Sequence, residues 1–323
     1  MRSSRITRWT VTLFCVGAML SVAQAQTSTD APEQSKFLRF VTDKDGGGSL
    51  QASVVRYEND QGVTVDLVAA VHIADRSFFR ALDSSFEDYD AVLYELVASK
   101  EMLGPTTQGA GLRTMRPRDD HEPPTTAASK RRGGGSMAWV GTLQRFLRDT
   151  LKLTFQLEEV DYKRPNFIHA DLDAETFAQM QEERGESFSG MLIQSMLREM
   201  SRGDAGNQPG LGDLLFAMQS PDKARQLKLL FAKQFNKIDD QMAGMEGPKG
   251  SVLLTERNKA AMRTLKKAMA SGKRSVAIFY GAGHLKGMDK MLTDELGFHQ
   301  VGPPFWRVAW DMTAAPTTQP ATK

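Results

Sequence analysis

Residues 63–72 read VTVDLVAAVH: seven apolar side chains in the first nine positions, then a histidine. A run this apolar fits a strand covered on both faces, as in a parallel sheet, better than one with a wet side. Upstream, SLQASVVRYEN (49–59) is a second strand-like run, and Asp60-Gln61-Gly62 between the two is a hairpin signal. Downstream, Asp75 caps a helix, RSFFRALDSSFEDY (76–89), whose Phe78, Leu82 and Phe86 fall on one stripe. AVLYELV (91–97) follows as another apolar strand. Strand, helix, strand implies a parallel pair joined by a right-handed crossover, which would bring the ends of the two strands to one rim if they are neighbours.

The C-terminal part repeats the theme. A helix over 251–271 stops at Gly272, the strand SVAIFY (275–280) runs into a loop GAGH (281–284), and a helix LKGMDKMLTDEL (285–296) ends before Gly297. A last strand passes through FWRVAW (305–310). Between the two α/β parts, segments 138–153, 174–183, 189–200 and 222–242 carry helical spacing, the last with Ala224, Leu227, Phe231, Phe235, Ile238 and Met242 on one face. The expectation is an α/β fold: a central mixed, partly parallel sheet flanked by helices, with a helical middle region.

Length and composition narrow the class. The 323 residues are 41% hydrophobic and 25% charged, with a net charge of +2; these are globular proportions. Arg2, Arg5 and Arg8 precede the apolar run WTVTLFCVGAMLSV and a small-x-small site, Ala23-Gln24-Ala25, so residues 1–25 read as a secretory signal peptide. The run is shorter than the ~20 residues that span a bilayer, and cleavage near Ala25 would leave an exported, periplasmic or secreted chain with no transmembrane anchor. Without those 25 residues, 38 basic face 39 acidic residues, so the surplus of positive charge that could steer nucleic acid disappears. The one cysteine, Cys15, lies in the leader, which excludes thiol catalysis and cysteine-held zinc from the mature chain. Residues 26–36 and 312–323 are polar tails, and 103–136 reads as a flexible insertion, giving one domain over 37–311.

Few residues can carry chemistry. His72 and His284 each follow a buried strand, where ligands of open α/β sheets gather. Gly281 and Gly283 allow a ligand close to the backbone beside His284. Glu95 interrupts an apolar strand and must pair, bind a metal or take a proton. With His72 and His284 it makes a His/Glu/His set that suits zinc or manganese. On the helix after 251, Asn258 falls on the inward stripe with Leu254, Ala261, Leu265 and Ala268, and Arg257 on its edge. A semi-buried Arg wants a carboxylate or a substrate anion, and an ion pair between Arg257 and Glu95 is the purely structural alternative for both. Asp173 reads as a helix N-cap and Asp171 as part of the same turn; His169 is a weaker candidate for the site. No G-x-S-x-G elbow, Walker loop or dinucleotide fingerprint is present.

The strand-then-His start at 63–72, YDAVLYELV (89–97), TERN (255–258) and FYGAGHLKGMDKMLTDELGF (279–298) resemble the TraB/PrgY/GumN family, to which the TIKI proteins belong. The resemblance covers 63–97 and 251–302. That family carries two G-x-x-H motifs and an acidic residue after the first. The second motif stands here as Gly281 to His284, the acid as Glu95, and the Arg-Asn pair as Arg257-Asn258. The first motif reads Ala69-Ala70-Val71-His72, with Ala in the place of Gly. The resemblance implies a fold similar to erythromycin-esterase and ChaN-like proteins and, from TIKI relatives, a divalent-metal-dependent peptidase. Other members are inhibitors of peptide pheromone signalling, and related folds bind haem.

The leading expectation is therefore a metal-dependent hydrolase of peptides. His72, Glu95 and His284 would hold manganese, cobalt or zinc and lower the pKa of its bound water. Arg257 or Asn258 would steady the oxyanion, with Gly281 and Gly283 against the substrate. The alternatives are a peptide-sequestering protein without turnover and a ChaN-like binder of haem or metal.

Overall fold

The computed structural model describes residues 35–100, 150–186, 211–233, 235 and 250–313. The leader, both tails beyond these bounds, the 103–136 insertion and the helical segment 189–200 lie outside the described residues, as do Ile238 and Met242.

In chain order the elements begin with β1 (Leu38–Thr42), β2 (Gly48–Glu58), β3 (Thr64–Ala70), β4 (Ile73–Ala74), α1 (Arg76–Ser85) and β5 (Ala91–Tyr94). There follow β6 (Thr154–Phe155), α2 (Gln156–Glu159), β7 (Phe167–His169), α3 (Ala174–Arg184), α4 (Leu211–Gln219) and α5 (Lys223–Ala232). The C-terminal part holds α6 (Arg257–Ala270), β8 (Ser275–Gly281), α7 (Ala282–Lys290), β9 (His299–Gln300) and β10 (Phe305–Asp311). Among the described residues no helix is long and apolar enough to cross a membrane.

Eight strands form one mixed α/β sheet, with the parallel core in the order β3-β8-β5-β7. The hairpin expected at residues 60–62 is present: β2 pairs antiparallel with β3, and Gly62 supplies the positive φ of 69° that the turn requires. At Ala52 the long β2 carries β1 on one edge, opposite Leu38, and β10 on the other, opposite Arg307.

Two expectations need correcting. β3 and β5 are parallel, but β8, which comes from the far end of the chain, lies between them. Both faces of β3, β5 and β8 are buried, so apolar content alone says nothing about which of these strands neighbours which. The GAGH segment is also not a loop: α7 begins at Ala282 with Gly281 as its N-cap, which puts His284 in the first helical turn.

Register sets the rim. Ala70 of β3 pairs with Gly281 of β8, Tyr94 of β5 pairs with Phe279 of β8, and His169 of β7 pairs with Tyr94. The chain therefore leaves all four parallel strands at nearly one level, and the residues that follow share the carboxyl-end rim. Ala69, the first-motif departure, lies one step below that level, buried in β3 beside Tyr280.

The core is built from the strand residues Val65, Leu67, Val68, Val92, Leu93, Ile278 and Phe279, all essentially without exposure. α1 closes one face with Phe78, Phe79 and Leu82, and α6 contributes Ala261, Leu265 and Ala268. Truncating one such large side chain to Ala costs about 2–5 kcal/mol, so the rim rests on a stiff base.

Candidate active site

Arg257 is the centre of the site, and local structure explains its placement. Ser251 caps the helix by accepting from the Leu254 N–H at 3.1 Å, and residues Val252–Glu256 form a π-helical turn before the α-helix proper begins at Arg257. A π turn widens the helix and redirects the side chains after it, which is why such turns recur at functional sites. Here it delivers two consecutive polar residues, Arg257 and Asn258, into the interior; both are buried.

The guanidinium serves three partners at once. Its Nε and Nη2 donate to the two oxygens of Asp171 at 2.9 and 2.6 Å, a bidentate pair. Nη2 also donates to Glu95 Oε1 at 2.5 Å. Nη1 donates to His284 Nε2 at 3.2 Å. The Asp171 side chain has no exposure at all, and those of Glu95 and His284 have 9% and 8%. The other Glu95 oxygen, Oε2, accepts from the Gly281 N–H at 2.6 Å, and His284 Nε2 stands 3.5 Å from Oε1.

Burial disfavours the Glu95 charge, but the groups around it, His284, Arg257 and His72, outweigh burial and hold its carboxyl well below the usual carboxylate range. For Arg257 burial acts against the charge too, and the bonds to Asp171 and the charge of Glu95 overcome it and push the pKa up.

His284 is fixed in one tautomer. Asn258 Nδ2 donates to the His284 carbonyl at 3.1 Å, so Asn258 Oδ1 faces the ring, and at 2.7 Å it can only accept from Nδ1–H. Nε2 then carries a lone pair, and it is turned to Arg257, which can only donate. The Tyr280 ring crosses the imidazole edge to face at 5.4 Å, and its own hydroxyl donates to the Ala170 carbonyl at 2.8 Å.

His72 differs from the rest of the set: it is exposed. Its backbone is firmly held, since its carbonyl accepts from the Gln156 N–H at 3.0 Å and β4 just after it pairs with β6. Three residues on, Asp75 accepts from Lys228 at 2.7 Å and from the Asp311 N–H at 2.6 Å, and Trp310 Nε1 donates to the Ile73 carbonyl at 2.8 Å. The imidazole itself makes no hydrogen bond among the described residues. Its Nε2 lies 4.0 Å from the point where a Cβ on Gly281 would stand, and Glu95 Oε2 lies 3.2 Å from the same point. His72, Glu95 and His284 thus border one small space above Gly281, which a side chain there would fill. Gly283, half-exposed in the first turn of α7, adds an N–H with no partner inside the helix.

The sequence candidates are therefore brought together: His72, Glu95, Arg257, Asn258, Gly281, Gly283 and His284 all meet at the rim. Asp171 is the correction. Its Oδ1 does serve the turn before α3, accepting from the Leu172 N–H at 2.8 Å, while the α3 cap is Asp173, which accepts from the Thr176 N–H at 2.8 Å; beyond that reading, Asp171 is the main partner of Arg257. His169 stays outside, with Nε2 on the Leu96 carbonyl at 2.7 Å. Gly287 was not singled out, yet a Cβ there would stand 2.6 Å from Asn258 Nδ2; its bareness lets α6 and α7 approach.

The residues as arranged do not fit a resident divalent metal. Both oxygens of Glu95 and Nε2 of His284 already have partners, and a fixed guanidinium charge stands 2.5 Å from Glu95 where the cation would be. Among the described residues no three His, Cys, Asp or Glu side chains converge as metal ligands. No protein-family model, no curated protein and no solved structure matches the chain.

Proposed function

We propose that the chain is a hydrolase acting on peptides through His72 as general base. The observation that carries this reading is the contrast at the rim: one exposed imidazole without a hydrogen-bond partner among the described residues, beside a buried charge cluster whose every member is held. A catalytic base must be free to exchange its proton, while the groups that orient it must not move.

In this mechanism a water lies between His72 and the substrate carbonyl, over Gly281. His72 takes a proton as the water oxygen adds to the carbonyl carbon, and the C=O pair moves onto oxygen. The negative charge of Glu95, near enough to His72 for the two to interact, stabilises the imidazolium that forms. The first-turn N–H groups of α7, with the positive end of the helix dipole, favour the oxyanion. His72 then returns the proton to the leaving nitrogen as the C–N bond breaks. Arg257 and His284 do not touch the substrate; they hold Glu95 in place.

This reading keeps the peptide substrate that the TraB/PrgY/GumN resemblance implies and departs from it over the metal. The test is cleavage of a mixed peptide library by the purified chain, with chelator and separately with manganese, cobalt or zinc. Turnover that survives chelation and is lost in His72→Ala is the expected result. Turnover only with added metal, or undiminished in His72→Ala, would overturn it.

A further inference from the structure

We infer that the open edge of the sheet at β10 is a docking site for an extended acidic peptide, which adds there as a further strand. The inference goes beyond the hydrolytic reading and needs no turnover. β10 pairs with β2 and with no other strand among the described residues. β2 spends its backbone groups alternately on its two sides. The Ser53 N–H donates to the Phe37 carbonyl, ahead of β1, and the Arg56 carbonyl accepts from the Val301 N–H, ahead of β10. Even-numbered residues of β2 therefore face β9 and β10. Phe305 and Arg307, opposite Val54 and Ala52, are bonded to β2, and the N–H and C=O of Trp306 and Val308 point away from the sheet.

The opening is bounded at both ends. Before it, Pro303 and Pro304 have no N–H to offer a neighbour. After it the register slips past Val308, the Ala309 carbonyl accepts from the Asp75 N–H at 2.9 Å, and the Asp311 N–H donates to Asp75 Oδ2 at 2.6 Å. Between these bounds the strand is uncovered: Phe305 is 60% exposed and Val308 43%. Proteins ordinarily blunt such an edge, because unpaired backbone groups beside apolar side chains recruit another strand.

Charge selects the occupant. Arg39 lies in one row with Gln51 and Val308, and its guanidinium stacks on the Trp306 ring at 4.0 Å. Arg307, on the opposite face, lies over the Phe305 ring at 5.1 Å. Among the described residues neither arginine has a carboxylate partner; Arg39 donates to Gln51. Carboxylates on an added strand would meet a cation on either face. A second copy of the chain fits poorly. Two-fold pairing about Arg307 sets like charges opposite each other, which destabilises a strand pair. Pairing about Trp306 puts Pro304, without an N–H, against Val308, and pairing about Val308 runs into Asp75.

The test reads binding. A fluorescein-labelled pentapeptide, Glu-Val-Glu-Val-Glu amide, is titrated with the full chain and followed by polarisation. The expected result is saturable binding, equal in wild type and His72→Ala, so an absence of hydrolysis leaves it standing. Amide exchange at Trp306 and Val308 should slow when the peptide is added. Methylating the peptide's backbone nitrogens, or exchanging its Glu for Lys, should each weaken binding about tenfold. Val308→Pro removes an outward N–H and no bond to β2, so it should weaken binding about tenfold at an unchanged melting temperature. Absence of binding, or equal binding of the methylated or the Lys peptide, would overturn the proposal. So would a chain that sediments as a dimer with the Trp306 and Val308 amides already protected, which would assign the edge to a second copy.

Discussion

Asn258 holds His284 at two points: Oδ1 takes the ring Nδ1–H at 2.7 Å, and Nδ2 donates to the same residue's backbone carbonyl at 3.1 Å. One amide thus fixes both where α7 begins and which nitrogen of the imidazole bears hydrogen. The ring's other nitrogen, Nε2, faces Arg257 at 3.2 Å, so the histidine extends the reach of the guanidinium cluster.

Gly287→Ala tests that grip from the neighbouring helix. Its methyl would stand 2.6 Å from Asn258 Nδ2, far inside contact distance. Overpacking of this kind costs about 1–3 kcal/mol, read from the urea midpoint. The downfield proton signal of His284 Nδ1–H should also weaken, because its acceptor is displaced.

Removing Arg257 leaves Asp171 and Glu95 buried without a counter-charge. Arg257→Met should lose about 3–5 kcal/mol in denaturant unfolding. Arg257→Lys should recover little of this, since a single ammonium cannot reproduce the fork that meets Asp171, Glu95 and His284 together.

Acid should dismantle the site in a defined direction. The Glu95 carboxyl lies lower in the folded chain than in the unfolded one, so its charge stabilises the fold fully at neutral pH, and that contribution is lost as pH falls through the folded value. Stability measured against pH for wild type and Glu95→Gln should show the widest gap near pH 7, closing below the ordinary carboxylate value of about 4.3. A gap that widens in acid would contradict this assignment.

The two histidines should separate stability from activity. His72→Ala removes an exposed ring and should leave the melting temperature unchanged while abolishing hydrolysis. His284→Ala should lower both, because it unpairs Asn258 and one arm of Arg257. Gly281→Ala should fold normally and lose activity: its Cβ would come to 3.2 Å from Glu95 Oε2 and occupy the space beneath His72.

Much of this site was legible in one dimension. His72 and His284 stand out because each ends an apolar run, Glu95 because it interrupts one, and Asn258 because it falls on an apolar helical stripe; these are local contrasts of polarity. Asp171 was not legible. It sits two residues before a genuine helix cap, and its role depends on β7 lying beside β5, a pairing with no local signal. The same limit hid β8 between β3 and β5, since three strands buried on both faces are interchangeable by pattern.

The central place of β8 bears on how the molecule is made. Thr64 pairs with Ser275 and Ala91 with Val276, so the middle of the parallel sheet is supplied by chain that leaves the ribosome long after both flanking strands. Until then β3 and β5 have no partner between them, and contacts of such long sequence separation close slowly. A nascent chain stopped before residue 275 would carry His72, Glu95 and Arg257 yet bring none of them together. The last strand to be synthesised in the parallel core is the one that turns an assortment of residues into a single cluster at the rim.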